Sequence, residues 1–448
     1  MEKNLPKISI AEEPNLVKVS EKNLPKNWAE INLKQSVDFR KGKKPAILSE
    51  NYFEDCVPYM DIQGLEKDIV SYYADKKSAK YFKENDVVIV WDGSRSGLIL
   101  KPKSGAIGST LGALSPFGYK SEYLFYFLLT HYETINSKAR GVGIPHVDPT
   151  YLWNLNVPLP PLPEQERIVA KLDLLFAQHE KMKTSLEKIP QLLKDFRQQI
   201  LTQAVTGKLT EEWRKGKELG EWEERQLQNV GQFISGFAFK SNDFEKEGIQ
   251  LIRMGNLYNN KLDLARSPVF IPKNYDAKIL KKYLTKKQDI LLSLTGTKYK
   301  RDYGFAISID TDLPLLINQR ILCIRPNINT NFLIYVLRND IFRDQFFSFE
   351  TGGVNQGNVG VKNIGEILIK IPSMQEQTQI VSRVESLFSK IDAIELRYQK
   401  LKEKIDQFPQ TILHKAFKGE LVPQLPTDGD AKDLLKEILA LKKEGKKN

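Results

Sequence analysis

The chain has 448 residues, more than one ordinary core holds, so two to four folded units are expected. Its 67 Lys and Arg against 56 Asp and Glu leave a net charge of +11, which suits an extended anionic partner such as nucleic acid. No membrane partner is expected: the longest relevant apolar run, residues 123–129, falls far short of the roughly 20 residues that span a bilayer, and residues 1–6 show no signal-peptide apolar region.

A cytoplasmic protein is therefore expected. The two cysteines, Cys56 and Cys323, stand apart from any Cys or His at ligand spacing, so neither a disulfide framework nor a metal site is expected. In chain order, a leading segment (residues 1–19) precedes a block of mixed character over 20–158. Leu24-Pro25-Lys26-Asn27-Trp28 opens this block, and Gly42 stands 14 residues after Trp28. Short β-branched runs at 57–62 and 86–90, bounded by Gly, Asn or Asp, read as strands, and 125–129 reads as a short helix. Gly141-Val142-Gly143 and an apolar strand ending at Val157-Pro158 close the block.

Residues 159–214 read as a spacer helix. Ile168, Leu172, Leu175, His179, Met182, Leu186, Ile189, Leu193, Phe196 and Ile200 step by four and three throughout. Such a 3.5-residue repeat marks a coiled-coil seam, not the wider stripe of a surface helix. Gly207 stands where the helix should stop, and Pro190 is expected to kink it without ending it, because the pattern runs on.

A second block over 215–371 echoes the first. Leu219-Gly220-Glu221-Trp222 opens it, and Gly236 again follows the Trp by 14 residues. Runs at 251–254 and 289–293 read as strands, 332–337 as a short helix, and Gly352-Gly353-Val354 with Ile371-Pro372 closes the block. A second spacer helix over 372–424 carries the same seam through Ile380, Val384, Leu387, Ile391, Ile394, Tyr398, Leu401, Ile405, Phe408 and Ile412, with Pro409 as a kink and Gly419 as the stop. Glu164-Gln165 falls on Glu376-Gln377 at a shift of 212 residues, and the shift persists without a gap to Gly207 and Gly419. In the tail (425–448), Leu434, Leu435, Ile438 and Leu439 form one more amphipathic set.

Each seam is roughly 48 Å long at about 1.5 Å per residue, and two seams of equal length in one chain most simply pack on each other. Unrelated bundle helices, or seams that pair with another protein, remain open alternatives. The expected fold is α+β: two globular domains with twisted β-sheets alternating with two long helices that pair as an antiparallel coiled coil. His179, where the other copy has Ile391, reads as a tolerated polar core residue.

Phosphate contacts call for Lys and Arg, and base edges call for Arg, Asn, Gln or carboxylates on loops that reach a groove. In the first block the candidates are Lys41, Lys43, Lys44, Asp61, Gln63, Asp92, Ser94, Arg95, Lys101, Lys103, Lys138 and Arg140. In the second they are Lys240, Arg253, Asn256, the run Thr297-Lys298-Tyr299-Lys300-Arg301, then Asn318-Gln319-Arg320, Asn355, Gln356 and Asn358. Gly93 and Gly296 mark exposed turns beside two of these clusters. Tyr299, between cations, can pack on a sugar or a base, whereas any single Lys is equally an ordinary solvated charge.

The run Pro158-Leu159-Pro160-Pro161-Leu162-Pro163-Glu164-Gln165-Glu166-Arg167-Ile168-Val169 before a long helix, repeated from Ile371-Pro372 to Val381, resembles the start of the two conserved regions of type I restriction-modification specificity subunits. Ser235-Gly236-Phe237-Ala238-Phe239-Lys240-Ser241, Leu316-Ile317-Asn318-Gln319-Arg320 and Thr351-Gly352-Gly353-Val354-Asn355-Gln356 are similar to that family too. The first block departs from the pattern: residues 39–44 and 141–146 are looser versions, and no Asn-Gln-Arg counterpart is visible. The resemblance implies a non-catalytic chain that binds a bipartite site on double-stranded DNA, one half per target-recognition domain. It also implies helices that dock two modification (methyltransferase) subunits, joined by restriction subunits with motor activity. S-adenosylmethionine, ATP and Mg2+ would belong to those partners, with no cofactor in this chain.

Enzymatic readings fail on particular residues. Asp148-Pro149-Thr150-Tyr151 resembles the Asp-Pro-Pro-Tyr turn of amino-methyltransferases, but Thr150 spoils the match and no glycine-rich cofactor loop follows a strand. Gly207-Lys208 has Thr202 where a phosphate loop needs glycine, and Gly93-Ser94-Arg95-Ser96-Gly97 puts Arg where a nucleophile elbow needs Ser. No Pro-Asp pair begins a nuclease signature. Two alternatives remain at this point: a two-globule coiled-coil scaffold, and a self-sufficient DNA methyltransferase.

Overall fold

The computed structural model describes residues 24–141, 143–353 and 356–445. The fold is α+β, and the chain divides into two compact units. One is built from the described residues up to Ser185 and from Leu401 onward, the other from those between Leu186 and Lys400.

Each unit contains a globule whose first and last strands pair. Ala29–Asn32 runs antiparallel to Asn156–Leu159, and Glu223–Gln226 runs antiparallel to Leu368–Ile371. The chain therefore enters and leaves each globule at one place, beside the start of a long helix. Between these strands the two globules share a topology. The larger sheet of the first runs Val37–Lys41, Leu111–Pro116, Val87–Val90, Ile99–Leu100; that of the second runs Gly231–Ser235, Ile321–Pro326, Ile290–Ser293, Ala306–Ser308. A smaller sheet sets Cys56–Met60 parallel to Ala106–Ile107, and in the second globule Ile249–Ile252 parallel to Leu315–Ile317.

The central strand of each larger sheet is buried on both faces. Val87 and Ile89 join a core with Trp28 and Tyr123, whereas Val88 and Val90 face Met60 and Ile107. This explains why the run is continuously apolar and does not alternate. The glycines that follow Trp28 and Trp222 have the same task in both globules. A Cβ on Gly42 would lie 2.0 Å from the Gly108 carbonyl oxygen, and one on Gly236 would lie 2.0 Å from that of Asn318. Only glycine lets these backbones cross so closely.

The long helices pack antiparallel within each unit. In the first, the helix Leu162–Glu187 places Ile168 and Leu172 in one core with Ile412, Leu413 and Ala416, near the end of the helix Met374–Phe417. Further along, His179 Nε2 lies 2.9 Å from the Ile405 carbonyl oxygen and its ring stacks on Phe408. Leu175 and Phe408 pack at the margin of that core. In the second unit, Ile200, Leu201 and Ala204 share a core with Ile380, Val384 and Ile391, flanked by Leu193 and Leu387. Leu186 is buried as well. The tail helix Ala431–Gly445 inserts Leu434 and Ile438 into the first core.

Three expectations about the seam need correcting. The first spacer is not one kinked helix: it stops at Lys188, and Pro190 occupies the first turn of a new helix, Ile189–Val205, where its missing N–H costs nothing. Pro409, by contrast, lies inside a continuous helix. The restart rephases the seam, so that Arg197, over the Phe388 ring at 5.2 Å and paired with Asp392, takes the inward position expected of Phe196, which is 47% exposed. Leu401, Ile394 and Met182 are exposed as well, because a helix pair beyond its globule has no third layer to cover it.

A buried polar joint fastens each helix to its globule. Trp28 Nε1 donates to Glu164 Oε2 at 3.0 Å, and Gln424 Nε2 donates to Glu164 Oε1 at 3.0 Å. Gln165 Nε2 donates to the Pro160 carbonyl at 2.8 Å, while its Oε1 accepts from Lys120 N at 3.1 Å. In the second unit Thr210 Oγ1 (2.7 Å) and Arg214 donate to Glu376. Gln377 donates to Pro372 O and accepts from Asn329 N, both at 2.9 Å. Trp28 packs against Gly419 and Trp222 against Gly207, both glycines having positive φ at a helix end.

Arg214→Ala, which leaves the Glu376 carboxylate buried with one donor fewer, should cost about 3 kcal/mol. Arg197→Ala, on a mostly exposed pair, should cost about 1 kcal/mol or less; urea unfolding midpoints of the two variants test the contrast. Gly42→Ala and Gly236→Ala should each lose on the order of 3 kcal/mol by the same measurement, since backbone and not a flexible side chain meets the new methyl. Arg167 forks onto the buried Asp428 with two 2.7 Å bonds, and these hold the Asp428 carboxyl below its ordinary value of 3.8. The stability this pair adds is present above that value and is lost as pH falls through the lowered one. Protease protection of the tail should therefore fall in strongly acid solution, and Asp428→Asn should abolish that pH dependence.

Candidate nucleic-acid interface

In the second globule three segments converge beyond the parallel strand ends. The Asn318 N–H donates to the Ile252 carbonyl at 3.0 Å, which holds the turn Met254–Asn256 beside Asn318, Gln319 and Arg320. Arg253, Arg266, Ser267, Asn318, Gln319 and Arg320 share a groove of about 440 Å3 with residues 254–256. Arg253 is braced by a 2.8 Å bond from Nη2 to the Ser267 carbonyl, while Gln319 and Arg320 are exposed. Asn256 corrects the expectation of a base reader. It is buried, its Nδ2 donates to the Asp263 and Arg266 carbonyls at 2.9 and 2.8 Å, and its Oδ1 accepts from Arg253 N, so its amide is consumed in shaping the loop.

Sequence alone does not distinguish Arg266, since a lone arginine in a loop carries no signal; only the fold brings it to the groove.

The loop from Gly296 to Gly304 is four residues longer than its counterpart from Gly93 to Gly97, and it carries the run from Lys298 to Arg301. It is braced throughout. Thr297 N donates to Asp302 Oδ1 (2.7 Å), Lys298 Nζ to the Gly352 carbonyl (2.8 Å), and Tyr299 N to Glu350 Oε2 (3.2 Å). Arg301 is held by Asp344 at 2.6 Å and stacks over Phe347 at 4.8 Å, so it has little left for a ligand. Tyr299 and Arg301 adopt positive φ, a strained conformation for these residues, and Tyr299 is 78% exposed. Lys300 and Lys240 are exposed. Gln356 and Asn358 lie close by, because Thr295–Gly296 pairs with Gly357–Asn358. Asn355 falls outside the described residues.

In the first globule Gly108-Ser109-Thr110 occupies the place of Asn318-Gln319-Arg320. Gly108 N donates to the Met60 carbonyl (2.9 Å) as Asn318 N does to that of Ile252, and Trp91 N donates to Thr110 O (2.7 Å) as Leu294 N does to Arg320 O (3.0 Å). The counterpart not visible in the sequence thus exists by position, and its one signal is the three-residue gap between Ile107 and Leu111, matched between Ile317 and Ile321. Asp61 stands where the second globule has Arg253. Its Oδ1 accepts from Gly64 N (2.8 Å) and caps the helix Ile62–Lys67, from which Gln63 is exposed.

Several first-block cations are paired. Arg95 forks onto Glu66 at 2.8 and 2.5 Å, and these bonds hold the Glu66 carboxyl below its usual range. Lys41 meets Asp92 at 2.9 Å, Lys103 meets Asp68 at 2.6 Å, and Arg140 meets Asp148 at 2.6 Å. Asp148 also accepts from Thr150 N and caps the helix Pro149–Trp153, which accounts for Asp-Pro-Thr-Tyr as a helix start. Lys101 and Lys138 lie over the Phe125 and Tyr151 rings, at 5.5 and 4.2 Å. Lys43, Lys44 and Ser94 are exposed.

Among the described residues no three His, Cys, Asp or Glu side chains gather as a metal site, and no helix is long and apolar enough to cross a membrane. Both cysteines are buried and unpaired, and burial pushes the Cys323 thiol well up.

The family described as "Type I restriction modification DNA specificity domain" matches residues 25–191 and 220–403, most of the chain and both copies of the repeat. The specificity subunit of the type I restriction enzyme MjaVIII from Methanocaldococcus jannaschii is 27% identical over 425 residues, covering 91% of this chain and 96% of the relative. That of EcoBI from Escherichia coli is 27% identical over 419 residues, covering 89% and 87%. The crystal structure of the HsdS subunit from Thermoanaerobacter tengcongensis shows the same fold, with a TM-score of 0.61 at 20% identity over 89% of this chain and 98% of that one. With a duplicated globule-and-helix plan matched along nearly its whole length, the chain belongs to the type I restriction-modification DNA specificity family, as the specificity subunit of such a complex.

Proposed function

We propose that this subunit binds a bipartite site on double-stranded DNA, reading one half with the domain over residues 20–158 and the other with that over 215–371. The spacers over 159–214 and 372–424 would set the gap. The observation that carries this reading is the contrast inside the repeat: strand order, close-approach glycines and buried joints recur, while the side chains at the groove positions differ. A protein with two equal frames and two different reading surfaces is suited to unequal half-sites.

The chain itself contributes recognition and no catalysis. Two modification subunits and the restriction subunits would assemble with it in the cytoplasm, and S-adenosylmethionine, ATP and Mg2+ would be bound by those partners. The exposed Lys300, Lys240, Lys43 and Lys44, with the half-buried Lys298 beside Lys300, are suited to phosphates, and Tyr299 to a base or sugar face.

The isolated chain should bind duplex DNA with steep salt dependence, and methylation should require added modification subunit. DNA binding without partner sinks the scaffold reading; methylation without partner sinks the non-catalytic one. Mapping methylated positions across a host genome should return a split target with unequal halves, and one continuous motif would overturn the bipartite reading. Replacing Lys298 and Lys300 by Ala should weaken binding to all sequences alike and lower the salt slope by about 1 for each phosphate that is no longer neutralised.

A further inference from the structure

The lining of the groove of the second globule includes three arginines, Arg253, Arg266 and Arg320, and no Asp or Glu among its described residues. Elsewhere Arg40, Arg95, Arg140, Arg301 and Arg325 each meet an Asp or Glu. An arginine without an acid beside it keeps its forked donors for something outside the chain. Arg320 is also the best positioned of the three: Gln319 N donates to the Phe237 carbonyl at 3.1 Å and Leu294 N to the Arg320 carbonyl at 3.0 Å, so the side chain projects from fixed backbone.

In the major groove a guanine presents two adjacent acceptors, O6 and N7, which a guanidinium meets with two parallel bonds. A phosphate would be held as well by lysine, yet the groove has no lysine among its lining residues. It does have two amides, Asn318 and Gln319, which suit base edges. The equivalent positions in the first globule are Asp61, Ser109 and Thr110, none of them a cation.

We propose that the half-site read by the second domain contains a guanine gripped at O6 and N7 by Arg320, and that the first domain reads its half without an arginine–guanine pair at the equivalent position. This rests on the bipartite reading above. It narrows that reading to one base and one side chain.

The test uses the complex reconstituted with its modification subunit, on duplexes carrying the target found by methylation mapping. Substituting 7-deazaguanine, which lacks the N7 acceptor, at each guanine in turn should lower affinity about 5- to 150-fold at one position in one half only. Arg320→Lys, which replaces a planar fork by a point charge, should weaken that discrimination while keeping non-specific binding, and Arg320→Ala should make that single position degenerate in the methylation map, leaving the other half unchanged. The 7-deazaguanine measurement uses the unaltered protein, so it stands even if a variant folds poorly.

A target with no guanine in the half read by the second domain, no sensitive 7-deazaguanine position, or full discrimination retained by Arg320→Ala would overturn the proposal. The last result would remove Arg320 from base readout. If the unaltered complex shows no split target at all, the bipartite reading fails instead; a split target altered by Arg320→Ala at a base other than guanine sinks only this inference.

Discussion

Glu164 and Glu376 have their carboxylates out of water at the start of the two long helices, each beside a buried glutamine. A buried carboxylate is tolerable only when donors surround it, and those donors come from the segments whose placement matters: Trp28 and Gln424 for one, Thr210 and Arg214 for the other. The glutamines bond to carbonyls of the linker just upstream, at Pro160 and Pro372, and accept from Lys120 and Asn329. Each joint therefore ties globule, linker and helix into one body. Since first and last strands of the globule pair next to it, the direction in which each globule faces follows from this joint.

With the frame held in that way, the loops beyond the strand ends are free to differ. The two globules agree in strand order and in the glycine crossings at Gly42 and Gly236, yet one presents Asp61, Ser109 and Thr110 where the other presents Arg253, Gln319 and Arg320. The loop that is four residues longer in the second globule is braced by Glu350, Asp302 and Asp344, so the strain at Tyr299 and Arg301 is held by surrounding bonds and an exposed tyrosine is presented in a defined place. In the first globule the charged side chains are more often paired internally, as with Arg95 on Glu66 and Arg140 on Asp148. The frame supplies stability and the loops supply chemistry.

The helices show the limit of periodicity as a guide. Residues near the globules, such as Ile168, Leu172, Ile200, Ile380, Val384 and Ile412, are buried because helix, partner helix and globule meet there. Phe196 and Leu401 obey the same spacing but have fewer neighbours to cover them, and the break at Lys188 turns Arg197 inward instead of Phe196.

Features that repeat or depend on near neighbours are legible in the amino-acid order: two globule-helix units, the period of the antiparallel seam, the central strands and the Glu-Gln pairs. The equal Trp-to-Gly spacing is legible too, because the same backbone crossing imposes it twice. Which polar residues face outward is settled only by the folded chain. Asn256 and Asp148 have the composition of ligand-binding groups but are consumed by caps and turns, whereas Arg266, Ser109 and Thr110 reach the groove positions through strand pairing between distant segments. Spacing along a chain reports which face of an element a residue occupies. Whether that face meets solvent, another element or a ligand depends on contacts between residues far apart in sequence, which no local pattern encodes.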